Sequence, residues 1–216
     1  MRRELRAHGI RVLLSHHPAI RRLKRESVPS MHGNRVWSSS WLLMDFLTRT
    51  GLPRGVRVLE AGCGWGLAGV YCARRHQARV TGVDRDGDVL PFLRVHAEIN
   101  RVEIAELRRD FTRITTDVLR GFDLLIAADV CFWDELVGPI RNLILRALRA
   151  GVRSVLIADP GRSPFDALGE IMVRTKGGEV LEWTTRHPRR IRGRILRVGR
   201  PLASSGAELR HSRRKG

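Results

Sequence analysis

The sequence predicts an α/β domain: a mostly parallel, buried sheet covered by helices and closed by an antiparallel hairpin. Three observations carry this. From Val56 onward, short β-branched runs alternate with helical patterns, the order that builds parallel sheets. Residues 122–129 and 154–159 are apolar over most of their length, as strands buried on both faces are. The last two extended runs, 179–186 and 191–198, have no helical spacer between them and so pair as a hairpin. A chain of 216 residues holds one such domain with a full core.

Residues 1–35 read as a basic, helical N-terminal extension. Leu5, Ile10, Leu13, Leu14, Ile20 and Leu23 fall loosely at helical spacing, and Pro18 breaks or bends the run. Pro29, Gly33 and Asn34 mark a loop. Val36 and three serines lead into an amphipathic helix from Trp41 to Leu47 with serine caps, ended by Gly51, Pro53 and Gly55. A strand over 56–60 precedes a helix over 66–76, and a strand over 79–84 precedes a helix over 88–100. A short strand over 103–108 and a weak helix over 114–119 lead to the buried strand 122–129. The helix over 135–150 carries Leu136, Ile140, Leu143, Ile144, Ala147 and Leu148 on one stripe and stops at Gly151. After the strand 154–159, a helix over 164–176 stops at Gly177-Gly178. The domain therefore spans 36–200, and 201–216 reads as a basic, disordered tail.

The net charge of +18 is concentrated at the ends. Residues 1–35 carry nine Lys/Arg against Glu4 and Glu26; residues 186–216 carry eleven against Glu208. The middle is nearly neutral. Basic ends suit a polyanion such as RNA. Yet all but Lys24, Lys176 and Lys215 of the basic residues are arginine, a skew that codon bias explains equally well. Cys63, Cys72 and Cys131 form no CxxC pair and have no metal-like spacing with histidine, so no metal is expected. Reduced thiols, the lack of a signal-peptide core and the lack of any run near the ~20 apolar residues of a membrane span predict a cytoplasmic protein that does not engage a membrane.

The segment Val56-Arg57-Val58-Leu59-Glu60-Ala61-Gly62-Cys63-Gly64-Trp65-Gly66 is a strand, a tight glycine turn and the start of a helix. Such a turn lets a ligand approach the backbone, and the free N–H groups of the helix start favour electron-rich ligand atoms. Counting from Gly62, the third glycine of the dinucleotide fingerprint falls on Leu67, which sets a nicotinamide cofactor back. The pattern Glu60-x-Gly62-x-Gly64-x-Gly66 instead resembles the first motif of class I S-adenosylmethionine (SAM) dependent methyltransferases. That resemblance implies a three-layer Rossmann-like fold with seven strands in the order 3-2-1-4-5-7-6. It also implies SAM as cofactor, its methionine end held by Glu60, Gly62, Cys63, Gly64 and Gly66.

Asp84 ends the second strand about 20 residues past the glycines, where a carboxylate accepts ribose hydroxyls; an acid there can also simply cap a helix. Arg85 beside it can cover the adenine. Asp110 and Phe111 stand where this family recognises the adenine amino group and ring, or are a turn acid and a core aromatic. After the buried fourth strand comes Asp129-Val130-Cys131-Phe132-Trp133-Asp134, at the sheet edge where α/β proteins bind ligands. Phe132 and Trp133 can hold a cationic acceptor by cation–π attraction, or pack under the next helix. Asp129 or Asp134 can take the proton of an amine acceptor.

Asp129-x-x-Phe132 resembles the Asp-x-x-Tyr/Phe signature of the seven-β-strand protein lysine methyltransferases. Trp37-Ser38-Ser39 resembles their leading segment, which places Trp37 at the cofactor and adds Asp129 to the cofactor set. Asp159-Pro160-Gly161-Arg162 fits the branch that contains the electron-transfer-flavoprotein β-subunit lysine methyltransferase and its bacterial relatives. The resemblance covers residues 36–185 and implies a protein lysine acceptor. Phe132 stands where tyrosine is common. Neither Asn/Asp-Pro-Pro-Tyr/Phe nor Pro-Cys follows the fourth strand, which weighs against base methylation. RNA or a small amine as acceptor, and a non-catalytic SAM-binding module, stay open.

Overall fold

In the computed structural model, which describes residues 3–29, 33 and 35–202, the chain forms a seven-stranded sheet with helices on both faces. A two-stranded hairpin, β1 (Glu4–Ala7) and β2 (Ile10–Leu13), comes first, followed by helices α1 (Pro18–Glu26) and α2 (Ser38–Thr50). Strand and helix then alternate: β3 (Arg57–Ala61), α3 (Leu67–His76), β4 (Arg79–Asp84), α4 (Leu90–Ile99), β5 (Ile104–Arg108), α5 (Thr116–Leu119) and β6 (Leu124–Ala128). The remainder is α6 (Val137–Arg149), β7 (Ser154–Asp159), α7 (Ser163–Lys176), β8 (Glu179–Thr185) and β9 (Ile191–Gly199).

The sheet order is β5-β4-β3-β6-β7-β9-β8. Counted within the sheet this is 3-2-1-4-5-7-6, the order expected. The five strands from β5 to β7 are parallel, and β9 runs antiparallel to both β7 and β8. Strand alternation separates two cores. Val58, Leu124, Ile126, Leu156 and Ala158 face α2 and α3, while Leu59, Leu125, Ala127, Val155 and Ile157 face α6 and α7. Each apolar strand is thereby buried on both sides, as its composition demands.

The N-terminal extension departs from the helical expectation. His8 (φ 51°) and Gly9 (φ 80°) make a two-residue turn that pairs Ala7 with Ile10, so residues 4–13 fold as a hairpin. Ile10 and Val12 point inward with a period of two, and Asn100 of α4 clasps the strand from outside. Its Oδ1 accepts from Arg11 N (2.7 Å) and its Nδ2 donates to Arg11 O (2.8 Å). Pro18 starts α1 at its first turn rather than breaking a longer helix.

The serine caps expected before α2 are also absent. Trp37 occupies the cap position and its side chain makes no capping bond to the helix, and Ser38–Ser40 lie inside the first turn. Of the predicted tail, 201–216, residues 203–216 lie outside the described residues, and Leu202 is buried. Among the described residues no helix is long and apolar enough to cross a membrane, and no cluster of His, Cys, Asp or Glu has metal-binding geometry.

Candidate cofactor and acceptor site

The glycine turn after β3 needs glycine for different reasons at each position. Gly62, Gly64 and Gly66 have φ of 65°, 51° and 69°, where side chains are strained. A Cβ on Gly62 would lie 2.7 Å from Val130 Cγ1, and one on Gly66 would lie 2.7 Å from Leu93. A Cβ on Gly64 would meet nothing within 4 Å. The bare backbone of Gly64 borders open space, a cradle into which a ligand can settle. Its N–H donates to Asp84 Oδ2 (3.0 Å), which ties the turn to the end of β4. Cys63 offers main chain only: its N–H donates to Val83 O (3.0 Å), and its thiol is buried with Val89, Leu90 and Leu93. Burial pushes that thiol well above its ordinary value.

Glu60 is buried beneath the turn, and its Oε2 accepts from Gly69 N at 3.0 Å. Only glycine fits at 69, because a Cβ there would lie 2.5 Å from the same oxygen. Burial lifts the Glu60 carboxyl to about 8, against the opposing pull of the Gly69 and Ala68 N–H groups. A small cavity is lined by Glu60, Cys63 and Gly66, together with Arg35, Trp37 and Ser40. Ser40 lies in the first turn of α2 and Gly66 caps α3, so two helix N-termini reach this cavity. One acid, one arginine and two helix starts suit the ammonium and carboxylate of an amino-acid moiety.

Gly62, Gly64, Trp37 and Ala128 also line a second cavity of about 310 Å³, so the two adjoin. That is the lower end of the roughly 300–1,000 Å³ usual for small-molecule sites. Asp84, Arg85, Asp110 and Phe111 enter it from the ends of β4 and β5. Asp84 Oδ1 accepts from Asp86 N (3.0 Å), and burial raises its carboxyl. Asp110 caps a short 3-10 turn: its Oδ1 accepts from Thr112 N (2.9 Å) and Oγ1 (2.8 Å), which holds its carboxyl low. Asp110 Oδ2 remains for a ligand donor. From the end of β6 come Asp129, Phe132 and Trp133. The two aromatic rings meet edge to face at 4.9 Å, and Trp133 is 43% exposed at the mouth.

The two acids expected to handle a proton sit in different surroundings: Asp129 lines the cavity and Asp134 does not. Asp129 has φ 59°, a conformation few non-glycine residues adopt. Its Oδ1 pairs with Arg162 Nη2 (2.9 Å) and its Oδ2 accepts from Ser39 N (2.8 Å). Arg162 Nη1 in turn reaches Asp159 Oδ2 (2.7 Å). Burial works against the Arg162 charge, but Asp159 and Asp129 hold its pKa above the ordinary value. Asp129 is thus a buried anchor between β6, β7 and α2, with both oxygens engaged. Asp134 is exposed at the start of a 3-10 turn and does not line the cavity, whereas Glu135 does. That turn sets the phase which swings one acid in and the other out.

Sequence reasoning passed over Arg35, Ser39, Ser40 and Glu135. Arg35 stacks its guanidinium 3.8 Å from the centre of the Trp37 ring, and a basic residue two before that tryptophan was the available signal.

Residues 58–151 match the methyltransferase-domain family. The chain is similar to the electron transfer flavoprotein beta subunit lysine methyltransferase of Xenopus laevis, 25% identical over 141 residues, which cover 63% of this chain and 56% of that protein. It is also similar to the ubiquinone biosynthesis O-methyltransferase of Neisseria meningitidis serogroup C, 39% identical over 61 residues, covering 28% of this chain and 26% of that one. The chain spans about half the length, or less, of these relatives. A crystal structure of precorrin-6y C5,15-methyltransferase from Geobacter metallireducens superposes with a TM-score of 0.59 at 11% identity, over 81% of this chain and 94% of that one. At that identity the likeness is one of fold.

Proposed function

On the premise that this chain carries a class I methyltransferase domain, we propose that it transfers a methyl group from SAM to an amine nitrogen, that of a protein lysine side chain. The observation that supports this most is that the two cavities share a wall. A pocket suited to an amino acid's charged groups lies beside one with a ribose-height acid, and that one is also lined by two aromatic rings and a carboxylate.

When bound, SAM supplies a sulfonium methyl already activated for attack. Glu60 takes the ammonium of its methionine end, and Arg35 with the α2 and α3 N-termini takes the carboxylate. Asp84 accepts the ribose hydroxyls, and Asp110 Oδ2 and Phe111 hold the adenine. Phe132 and Trp133 receive the acceptor's cationic head by cation–π attraction and strip its water, which lowers the amine pKa. Glu135, on the cavity rim, is the carboxylate placed to receive the proton. Asp129 holds the aromatic loop and the α2 N-terminus in register and is a positioning residue.

The experiment is incubation of the full chain with tritiated SAM and a cell lysate, with and without RNase and protease. Label removed by protease and recovered as methyl-lysine is expected. Label removed by RNase moves the acceptor to RNA, and label in dialysable material moves it to a small amine. SAM binding in calorimetry with no label transferred would reduce the protein to a binding module.

A further inference from the structure

Two basic stretches far apart in sequence, one around His8 and one around His187, meet in the fold. His8, in the β1–β2 turn, and the carbonyl of His187, in the β8–β9 turn, lie 3.1 Å apart through His8 Nε2. Beside them opens a groove of about 780 Å³ between the hairpin and the C-terminal ends of α3 and α4. Arg6, Arg11, Arg74 and Arg101 line it with both histidines, and among the described residues no acidic one does. Arg11 is satisfied by Glu4 at 2.9 Å. Arg6, Arg74 and Arg101 are exposed and form no ion pair among the described residues. Arg186, Arg189 and Arg190 continue the exposed positive surface on either side of His187. The groove shares no residue with the cofactor cavity.

Concentrated unpaired cations raise the local potential for a polyanion, and arginine's planar fork matches phosphate oxygens in pairs. We propose that this groove binds the phosphate backbone of a nucleic acid, independently of methyl transfer. A membrane fits less well. The surface is concave, and among the described residues the exposed large apolar side chains, Val28, Trp133, Val173 and Val180, are all elsewhere.

The test measures fluorescence anisotropy of a labelled oligouridine of about twelve nucleotides against the full chain over a range of salt. Binding that weakens log-linearly with salt is expected. The variant Arg6→Gln/Arg74→Gln/Arg101→Gln should lower the slope by about 2, at ~0.7 per lost phosphate contact, and weaken binding about tenfold or more at low salt. Each single substitution should remove about 0.7 of the slope, so the outcome does not hang on the triple variant folding. SAM binding by calorimetry should stay unchanged in all of them, which separates this result from the fate of the methyl-transfer reading. Absence of binding by the unsubstituted chain, an unchanged slope in the variants, or capture by phosphatidylserine vesicles without RNA binding would overturn the proposal.

Discussion

Asp129 Oδ1 and Arg162 Nη2 stand 2.9 Å apart, with the Asp129 side chain 3% exposed and that of Arg162 28%. Removing one partner strands the other charge, which costs about 3–5 kcal/mol when both are fully buried. With Arg162 partly solvated, Asp129→Ala is expected to lose about 2–3 kcal/mol in urea denaturation. Arg162→Met should lose more, because it strands Asp159 as well as Asp129, and the pair of substitutions less than the sum. Turnover should fall alongside stability. A fully stable Asp129→Ala that has lost only turnover would mean that this carboxylate is the proton acceptor after all.

Glu60 makes the opposite prediction for stability. Its carboxyl rises from 4.5 to about 8 on folding, so the folded state holds the proton more tightly than the unfolded state. Its contribution is fully present below the unfolded value and is lost as pH climbs through about 8. Glu60→Gln should therefore raise the melting temperature of the ligand-free protein at alkaline pH. The same change should weaken SAM, because binding an ammonium requires the ionised acid. In the unsubstituted protein SAM affinity should improve as pH rises toward 8, by at most about tenfold per pH unit. Calorimetry in buffers of different ionisation enthalpy reads the released proton directly.

Arg35→Ala should cost little stability, since the residue is exposed and its contact is the Trp37 ring. If it meets the cofactor carboxylate, the SAM dissociation constant rises about tenfold, the size of one charge-assisted hydrogen bond. Arg35→Lys should restore part of that, having charge without the fork. An unchanged constant removes Arg35 from the site.

The N-terminal hairpin should be sensitive to acid. His96 is fully buried; its Nε2 is 3.1 Å from Leu13 N, and its Nδ1 is 2.7 Å from Phe92 O. Leu13 N can only donate, so the ring is neutral with its proton on Nδ1. Burial depresses its pKa below 6.5. Its contribution is present above the unfolded value and lost as pH falls through the folded one. The protection factors of the β2 amides, that is their exchange corrected for its intrinsic rate, should thus fall as pH drops below 6.5 while those of β3 and β6 hold.

The sheet was legible because its information is local. Each strand announces itself by β-branched or apolar runs bounded by glycine or acid, and the order of the strands followed from the resemblance carried by Glu60-x-Gly62-x-Gly64-x-Gly66. The hairpin was not legible: the apolar spacing of residues 5–14 fits either period. What decides is His8-Gly9 in the left-handed region and a clasp from Asn100, 89 residues along the chain. The same limit governed the site. Glycines, Asp84 and Phe132 could be placed from neighbours in sequence. The engagement of Asp129 depends on Ser39, 90 residues earlier, and on Arg162. Choosing between Asp134 and Glu135 required the phase of a single 3-10 turn.

Helix α2 is fastened at both ends. Ser39 N bonds Asp129 at one, and Asp45 at the other accepts from Trp183 Nε1 (2.9 Å) while pairing with Arg49 (2.9 Å). The outermost strand is therefore part of the scaffold of a cavity whose glycines belong to the middle of the sheet. A shortened protein ending after β7 would keep the whole glycine turn. It would still lose Arg162 and Trp183, the far attachments of the bar that carries Trp37. The smallest unit able to hold the cofactor is set by a tryptophan at the rim of the sheet, well beyond the last residue that would touch it.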